Sequence, residues 1–383
     1  MSKIHITLVG GQPAPVYHGI VACQPDYVIY VCSRSDVSKQ TADVLREVLN
    51  EIPSKCTFLH PTDPLQIKLF AEALASQFKN DDVTVNISSG LKSWSHWFGI
   101  VFEKMSNAAV VYIDQNNVLW NYKTMQPSYN VVFDMHKLFM LYGNPLENYT
   151  PFSAYTKEDF DAIHIIEACR RNNFTDFNQL TTVLPKGISS QVKNQVQGRY
   201  VLPNNESWVS WNKKLLDGMQ EVCLCMVNKS RTRCLSERIV SPHAVNLVFS
   251  AGWFECKVAR ILSRWRNAKE IYVNCRFPYK PLLDKNEVDI IINTGAKILF
   301  VECKTQIFDT TAIDKFRSVI KGYGGTASKG LFVTDAKMTE IALAKCKEHG
   351  ILTFSLQDEH EGKSVEEAIA ALLDAELYNI NAR

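Results

Sequence analysis

Short apolar runs and helix-period segments alternate along the first third of the chain. The apolar runs are IHITLVG, DYVIYVC, CTFLH, DVTVNIS and AAVVYID, and residues 36–50, 65–79 and 91–104 repeat apolar positions with the period of an α-helix. Strands that alternate with helices in this way are typical of a parallel, doubly wound sheet. The pattern therefore predicts an α/β domain at the N-terminus.

The first domain is predicted to end near residue 148. The segments NNVLWNYKT and YNVVFDM favour a terminal hairpin or edge strands, and the turn-forming tripeptide GNP follows them at residues 143–145. We therefore assign residues 1–148 to the first domain.

The pattern changes to short amphipathic helices between residues 149 and 235. DFDAIHIIEACRRN is the clearest of these helices, and LPKG and LPNN interrupt the pattern. This predicts a small, mainly helical module that serves as a connector or a dimerisation element. A winged-helix DNA reader is the alternative, because DFNQLTT, SSQVKNQVQGRY and VLP have the order helix, helix and wing, although few Lys or Arg residues mark a recognition helix.

The last segment, residues 236–383, mixes strands with helices. A strong helix over residues 255–266 precedes the strand segments EIYVNCRF, NEVDIIIN and KILFVECK, and a helix, a strand and a final helix in SVEEAIAALLDAEL follow. The order predicts a second α/β domain.

Composition and charge narrow the class of protein without naming it. A length of 383 residues favours two or three domains, and a net charge of +2 means that any nucleic acid must be bound by a local patch. No apolar run reaches the roughly 20 residues of a membrane span, and MSKIHITLVGG lacks the features of a signal peptide. We therefore expect a cytoplasmic protein without membrane contact.

The 11 cysteines fit the same compartment, because most lie in apolar strands and helices where reduced thiols pack well. Only Cys223, Cys225 and Cys234 cluster in sequence. A C-x-C pair without a fourth Cys or a nearby His is poor zinc spacing.

Three charged residues interrupt the apolar hairpin NEVDIIINTGAKILFVECKT. Asp289 lies on its first predicted strand, and Glu302 and Lys304 lie on its second. Because side chains alternate across a strand, Glu302 and Lys304 share one face. A charge among buried positions is costly unless it is paired or bound to a metal ion, so the hairpin predicts a functional site.

Two carboxylates about a strand apart can hold Mg²⁺ or Mn²⁺, and Lys304 can orient or help deprotonate the attacking water. Glu255, in the helix segment AGWFECKVARIL, supplies a further acid. We therefore predict Glu255, Asp289, Glu302 and Lys304 as catalytic residues, with the three acids as metal ligands. An ordinary cross-strand ion pair between Asp289 and Lys304 is the alternative.

The order of these residues resembles the PD-(D/E)xK restriction-endonuclease-like superfamily. An acidic helix residue is followed by Asp, then by E-x-K on a hairpin, and then by a helix and a strand. The resemblance implies a restriction-endonuclease-like α/β fold for residues 236–383 and the cleavage of phosphodiesters. The chain departs from the superfamily in lacking a Pro just before the Asp.

Cations and aromatic residues between residues 257 and 285 indicate a polyanionic ligand. The cations would neutralise phosphates, and the aromatic rings could stack on unpaired bases. A solvated helix face with core aromatics is the alternative. The residues are Lys257, Arg260, Arg264, Arg266, Lys269, Arg276, Lys280 and Lys285, with Trp265, Tyr272, Phe277 and Tyr279.

Three predicted strand ends of the first domain carry turns suited to an anionic ligand. Open α/β sheets bind ligands at the carboxyl ends of their strands, where helix N-termini present free N–H groups. Helix capping is the alternative for Ser35 and Asp36. The predicted ligand-binding residues are Gly10, Gly11, Gln12, Ser33, Arg34, Ser88, Ser89, Gly90 and Lys92.

The loops GGQPAP and NISSGLKS resemble those of the CARF domain, a doubly wound, Rossmann-like sensor of CRISPR-associated proteins. With a connector and a PD-(D/E)xK module opened by FSAGWFE, the whole chain resembles the cyclic-tetra-adenylate-activated nucleases of type III CRISPR defence. The resemblance implies an allosterically activated antiviral endonuclease with Mn²⁺ or Mg²⁺ as cofactor and single-stranded RNA or DNA as substrate. It also implies a homodimer, which suits the two-fold symmetry of a cyclic tetranucleotide.

Three other functions stay open. A HEPN ribonuclease has an R-x4-6-H signature that RIVSPH matches from Arg238 to His243, but Pro242 is unsuited to a helical catalytic motif. A CARF-linked transcription regulator would bind duplex DNA without cleaving it. A ring nuclease would degrade its own activator, but the three loops offer no evident general base.

Overall fold

The computed structural model describes residues 1–114, 118–128, 134–181, 192–203, 206–249, 251–281, 283, 285–295, 297–306, 310–324 and 328–378. These residues form sheets of seven, four and six strands. No helix in the described ranges is both long and apolar enough to cross a membrane.

The first sheet has the strand order β3-β2-β1-β4-β5-β6-β7, and its first five strands run parallel. The prediction of a doubly wound sheet is confirmed, and β6 and β7 form an antiparallel hairpin at its edge, with β6 inside NNVLWNYKT and β7 just before YNVVFDM. Residues 129–133 of the segment YNVVFDM lie outside the described part. The strands are β1 (Lys3–Val9), β2 (Tyr27–Cys32), β3 (Ser54–Phe58), β4 (Asp82–Asn86), β5 (Ala108–Ile113), β6 (Leu119–Asn121) and β7 (Gln126–Ser128).

Helices cover both faces of this sheet. Side chains alternate across β1, so that Leu8 packs into one apolar cluster and Val9 into the other. The helices on the face of Val9 are α1 (Pro13–Cys23), α2 (Asp36–Val48) and α5 (Met135–Leu141), and those on the face of Leu8 are α3 (Pro64–Gln77) and α4 (Lys92–Glu103).

The segment at residues 149–235 differs from its prediction. Two helices, α6 (Lys157–Asn172) and α7 (Phe174–Thr181), are followed by an antiparallel sheet of the order β12-β11-β10-β9. The prediction of a mainly helical module is wrong because QEVCLCMV alternates buried and half-buried positions with the period of a strand. The strands are β9 (Gln197–Val201), β10 (Trp208–Asn212), β11 (Gln220–Val227) and β12 (Cys234–Ser241).

Two further predictions concern this middle segment. Helices followed by antiparallel strands have the order of the winged-helix alternative, but residues 182–191, which include all of LPKG and the start of SSQVKNQVQGRY, lie outside the described residues. The sulfur atoms of Cys225 and Cys234 are neighbours across β11 and β12, and the other nine cysteines are free thiols.

The third sheet has the order β17-β16-β15-β14-β13-β8 and carries the predicted C-terminal α/β fold. Its edge strand β8 (Asn148–Pro151) comes from the chain before the middle segment and pairs with β13. The other strands are β13 (Glu270–Arg276), β14 (Glu287–Asn293), β15 (Ile298–Lys304), β16 (Ser328–Thr334) and β17 (Ile351–Ser355). The helices are α8 (Ala244–Phe249), α9 (Gly252–Leu262), α10 (Thr311–Tyr323), α11 (Glu340–Glu348) and α12 (Val365–Tyr378).

Helix α5 joins the first and third sheets. The ring of Phe139 lies 5.0 Å from that of Phe277 and 6.0 Å from that of Phe300, centroid to centroid. The same apolar cluster contains Val9 and Tyr30 of the first sheet. Because a close-packed core transmits strain, a displacement of α5 reaches both sheets.

Candidate active site

Asp289, Glu302 and Lys304 meet on the β14–β15 hairpin. The last paired position of the two strands is Ile290 opposite Val301, which brings Asp289 opposite Glu302 at the next position. The Nζ atom of Lys304 lies 2.7 Å from Oε1 of Glu302 and 3.5 Å from Oδ2 of Asp289. The structure thus brings these predicted residues into contact.

The backbone of the neighbouring strand fixes the carboxylate of Asp289. The N–H of Cys303 donates to its Oδ2 atom at 2.7 Å. Since Cys303 lies between Glu302 and Lys304, the same strand that carries these two side chains also positions Asp289. The hairpin therefore sets the geometry of all three.

Lys285 is a fourth member that sequence reasoning missed, because it was counted only in the basic segment. Its Nζ atom lies 2.6 and 2.8 Å from the two carboxylate oxygens of Glu302 and 3.7 Å from Oδ1 of Asp289. The spacing of four residues between Lys285 and Asp289 is the only sequence signal for this contact. We call Lys285, Asp289, Glu302 and Lys304 the charged cluster.

Glu255 approaches from α9. The helix begins at Gly252, where a Cβ atom would lie 2.9 Å from the carbonyl oxygen of Asn246, so the AG pair allows α8 and α9 to pack closely. Ser250 of the FSAGWFE segment lies outside the described residues. The Oε2 atom of Glu255 is buried without a hydrogen-bond partner. Glu255 and Asp289 line one cleft.

Burial and charge perturb the acids and the lysine in a consistent way. Burial, and then the charge of Asp289, raise the pKa of Glu255 well above its usual range. The same two causes raise the pKa of Glu302, against the lowering effect of Lys304 and Lys285. Burial lowers the pKa of Lys304, but Asp289 and Glu302 raise it overall, so this lysine is charged. An excess of buried negative charge is what a cation would relieve.

The cleft has a volume of about 530 Å³ and separates the third sheet from the middle segment. Residues from both sides face it, and they include polar and cationic side chains suited to a phosphodiester. The lining residues are Asn148, Thr150, Lys193, His243, Asn246, Glu255, Asn274, Cys275, Arg276, Glu287, Val288 and Asp289.

Metal coordination is not preformed. In the described ranges, no three His, Cys, Asp or Glu side chains are close enough to hold one ion. Asp289 and Glu302 are instead paired with the ammonium groups of Lys285 and Lys304. The chemistry of the donors nevertheless fits Mg²⁺ or Mn²⁺, because all three acids offer oxygen and Glu255 has an unpartnered one.

The basic segment at residues 257–285 is not a stacking surface. Trp265, Tyr272 and Phe277 are buried, and Tyr279 alone of the four aromatic residues is exposed. Several of the cations already have partners: Lys257 pairs with Glu167, Arg266 with Asp374, and Arg276 with Glu287. The alternative of core aromatics beneath solvated cations is therefore confirmed for these aromatic residues.

The predicted ligand loops of the first sheet lie side by side. The N–H of Gly10 donates to Oγ of Ser89 at 3.1 Å, and this hydroxyl lies 3.5 Å from the carbonyl oxygen of Gln12. A Cβ atom on Gly11 would lie 3.2 Å from Val37 in the first turn of α2. We call residues 10–12, 33–35 and 88–92 the carboxyl edge. It lies where the strand order reverses around β1.

Two of the predicted residues have clear roles in holding this edge together. The hydroxyl of Ser88 donates to Oδ1 of Asn86 at 2.5 Å and accepts from the N–H of Ile113 at 2.6 Å. Gly90 has a φ of +80°, and its Cβ atom would lie 2.8 Å from that of Leu8. Both residues therefore shape the turn.

The predicted cations at the edge face solvent. Lys92 is the first residue of α4, and Arg34 directly precedes Ser35, the N-cap residue of α2. Both side chains are exposed. Ser33 is tied to this cap, because its hydroxyl lies 2.7 Å from that of Ser35. Helix capping by Ser35 is confirmed, and Lys92 and Arg34 stay predicted ligand contacts.

Arg238 and His243 do not act as a pair. The guanidinium of Arg238 bonds to Glu221 on β11, and His243 bonds to Asp159 on α6. The Arg and the His of RIVSPH therefore bind different acids and not a common site, which disfavours a HEPN ribonuclease.

Comparison with known proteins supports one fold for the whole chain. No family model and no curated protein matches it. Three solved structures at 14% identity do: protein VC1899 from Vibrio cholerae, with a TM-score of 0.69 over 98% of each chain; Can2 from Sulfobacillus thermosulfidooxidans in complex with cyclic tetra-adenylate, with 0.62 over 98% of this chain and 99% of that one; and a type III CRISPR defence DNA nuclease activated by cyclic oligoadenylate, with 0.59 over 97% of this chain and 52% of that one. At this identity the likeness shows the fold alone.

Proposed function

We propose that the chain is a metal-dependent nuclease that a cyclic oligoadenylate activates. The observation that carries this proposal is the charged cluster, whose Asp289 lines a cleft together with Glu255. Support comes from structural neighbours that share the fold and are named for binding cyclic tetra-adenylate or for activation by cyclic oligoadenylate. The substrate is single-stranded RNA or DNA.

Glu255, Asp289 and Glu302 would hold Mg²⁺ or Mn²⁺, and the side chains of Asp289 and Glu302 would have to turn from the lysines toward the ion. When bound, such an ion polarises a phosphodiester and lowers the pKa of a water molecule. Lys304 stays beside the acids and orients the attacking water. Lys285 neutralises Glu302 in the metal-free protein and is displaced as the acids turn.

The carboxyl edge is the proposed activator site. Helices α1, α2 and α4 begin there, so free backbone N–H groups point toward an anionic ligand. Lys92 and Arg34 add positive charge at the same place. A homodimer that presents this edge twice would match both halves of a cyclic tetra-adenylate.

The apolar contact through α5 offers a physical link between the two sites. A ligand activates only by binding one arrangement better than another. Helix α5 packs on α2, which begins at the carboxyl edge, and on Phe277 and Phe300 of the third sheet. We therefore expect the activator to change the placement of the third sheet.

The proposal is tested by incubating the protein with labelled single-stranded RNA and DNA, with and without cyclic tetra-adenylate and with Mn²⁺, Mg²⁺ or EDTA. Cleavage that requires both the activator and the metal ion is the expected result. Metal-independent binding of duplex DNA without cleavage would favour a transcription regulator instead. Loss of the cyclic tetra-adenylate without cleavage of either strand would favour a ring nuclease.

A further inference from the structure

His243 is one of the residues that line the cleft. It follows β12 and precedes α8, and it lines the cleft together with Glu255 and Asp289. Its side chain is 24% exposed, so one edge of the ring is open to a ligand while the other is held by the protein.

Asp159 of α6 holds the buried edge of this ring. The Nδ1 atom of His243 lies 2.9 Å from Oδ2 of Asp159, and the backbone N–H of His243 donates to Oδ1 at 3.1 Å. Two bonds from one carboxylate to the backbone and the ring of the same residue fix the direction in which the imidazole points. The ring of Tyr155 packs against it at 4.7 Å between centroids.

The carboxylate of Asp159 is ionised although it is fully buried. Burial raises its pKa, but hydrogen bonds from His243, from the backbone of Thr156 and from Ser241 together lower the pKa below its ordinary value. The ionised carboxylate of Asp159 accepts a hydrogen bond from Nδ1–H of His243, which leaves Nε2 as the ring atom at the open edge. Nε2 donates to an anionic ligand when the ring is an imidazolium, in which both nitrogens carry a hydrogen.

We propose that His243, as an imidazolium, binds the substrate strand by donating from Nε2–H to a phosphate oxygen next to the scissile bond, and that Asp159 is its positioning residue. The inference rests on the proposed nuclease function. It gives the middle segment an indirect part in substrate binding, because Asp159 on α6 positions His243, which follows β12.

The geometry separates this role from a purely structural one. A histidine kept only to tie α6 to β12 would need its Nδ1 side alone. Asn in place of His243 can put an amide N–H near the position of Nδ1, whereas Gln can put one near the position of Nε2. The two variants therefore remove different halves of the ring's contacts.

The experiment compares His243→Asn and His243→Gln with a matched pair, His164→Asn and His164→Gln, because His164 is exposed on the same helix as Asp159. Melting temperature reports the fold. The Kd for labelled single-stranded RNA and DNA, measured in EDTA with cyclic tetra-adenylate, reports binding without cleavage. KM and kcat are then measured with Mn²⁺.

We expect His243→Asn to keep the melting temperature of the wild type. Its Kd and its KM should both rise by about tenfold, which is the effect of losing one hydrogen bond to a charged group. His243→Gln should recover most of that binding even if it melts earlier. Both His164 variants should match the wild type.

The opposite pattern overturns the inference. A folded His243→Asn protein that binds both strands like the wild type has lost no substrate contact. If both His243 variants bind the strands equally less tightly, in proportion to a lower melting temperature, His243 has a structural role. Wild-type protein that binds a strand but never cleaves it contradicts the proposed nuclease function alone, whereas wild-type protein that binds neither strand contradicts both.

Discussion

At the carboxyl edge the loops bind one another through backbone groups and hydroxyls, and the cations Arg34 and Lys92 remain in solvent. In the charged cluster, by contrast, the charged side chains are paired with one another. Glu302 is 2% exposed, and it is paired with Lys285 and Lys304, whose side chains are only partly exposed. The first site presents donors that cost little when no ligand is bound, since water satisfies them.

The second site carries a standing electrostatic cost, because the transfer of a carboxylate from water is unfavourable unless a cation stays close. The difference predicts how affinity, reactivity and stability should respond to substitutions at each site. A change at the carboxyl edge should alter affinity with little effect on stability. A change at the charged cluster should alter both reactivity and stability.

The largest effect is expected from Glu302→Gln. The amide keeps the shape and can still accept a hydrogen bond from a lysine, but it loses the charge that would hold a metal ion. We expect cleavage to fall by more than about 10³-fold, a loss typical of removing a group that acts only in the transition state. The Kd for cyclic tetra-adenylate should stay unchanged.

Glu348→Gln, an exposed acid at the end of α11, is the matched control and should cleave normally. Calorimetry measures activator affinity, and a quenched oligonucleotide measures cleavage. Residual activity that follows the folded fraction of Glu302→Gln would instead favour the ordinary ion pair.

The next effect concerns His5 of β1, in the first sheet. Burial lowers its pKa to about 3, so it is neutral in the folded protein and binds a proton on unfolding. Stability from this group is present above the ordinary histidine pKa of about 6.5 and is lost as the pH falls toward 3. Between pH 6.5 and 4.5 we expect a loss of roughly 2–3 kcal/mol.

His5→Leu should remove this loss while packing the same space. Hydrogen exchange at β1, compared at pH 7.5 and 4.5 by correcting for intrinsic exchange rates, measures the change in the region concerned. The idea fails if the wild type and His5→Leu respond alike to acid.

Lys92→Ala should weaken activator binding by roughly 1–3 kcal/mol if Lys92 meets a phosphate. The melting temperature should not change, because the side chain is exposed. Lys79→Ala, beyond the end of α3 at the opposite end of the sheet, is the control and should bind normally. Unchanged affinity of Lys92→Ala by calorimetry would remove Lys92 from the site.

The smallest effect is on stability at the second site. The raised pKa of Glu255 means that its contribution to stability is fully present below its ordinary pKa and is lost as the pH rises through its folded-state value. Glu255→Gln removes that loss. It should therefore melt a few degrees higher than the wild type at pH 7.5, since about 1 kcal/mol shifts the melting temperature by roughly 2–4 °C, and at the same temperature near pH 4.

Calorimetric scans of metal-free protein at both pH values measure this difference. Glu103→Gln, an exposed acid at the end of α4, is the control and should show no gain. A melting temperature that falls at pH 7.5 would mean that Glu255 is stabilised by a partner.

Local patterns were sufficient to predict much of this molecule. Five parallel strands of the first sheet could be located because each is a short apolar run, and helical repeats follow the second, third and fourth of them. Asp289, Glu302 and Lys304 could be found because a charge inside such a run is conspicuous. The carboxyl edge could be predicted from the ends of the strands. The hydrogen bonds of Ser88 to Asn86 and Ile113 could not.

What sequence reasoning missed depends on contacts between distant segments. Asp159 lies 84 residues before His243, and nothing local to DFDAIHIIEACRRN marks its carboxylate as the partner of a histidine. Lys285 lies in a polar stretch where a lysine is ordinary. The strands β9 to β12 were missed because half-buried positions blur an alternation of apolar and polar residues.

The edge strand β8 has a consequence for synthesis on the ribosome. Pro151 pairs with Tyr272, roughly 120 residues later, so β8 leaves the ribosome well before its neighbour exists. At about 5–20 residues per second the wait is on the order of 6 to 24 s, during which the strand's backbone is unpaired. A fragment that begins at residue 236 would lack β8 and expose β13 as a new edge, where another chain can add. Expression of the C-terminal domain alone should therefore include the segment from residue 148 onward.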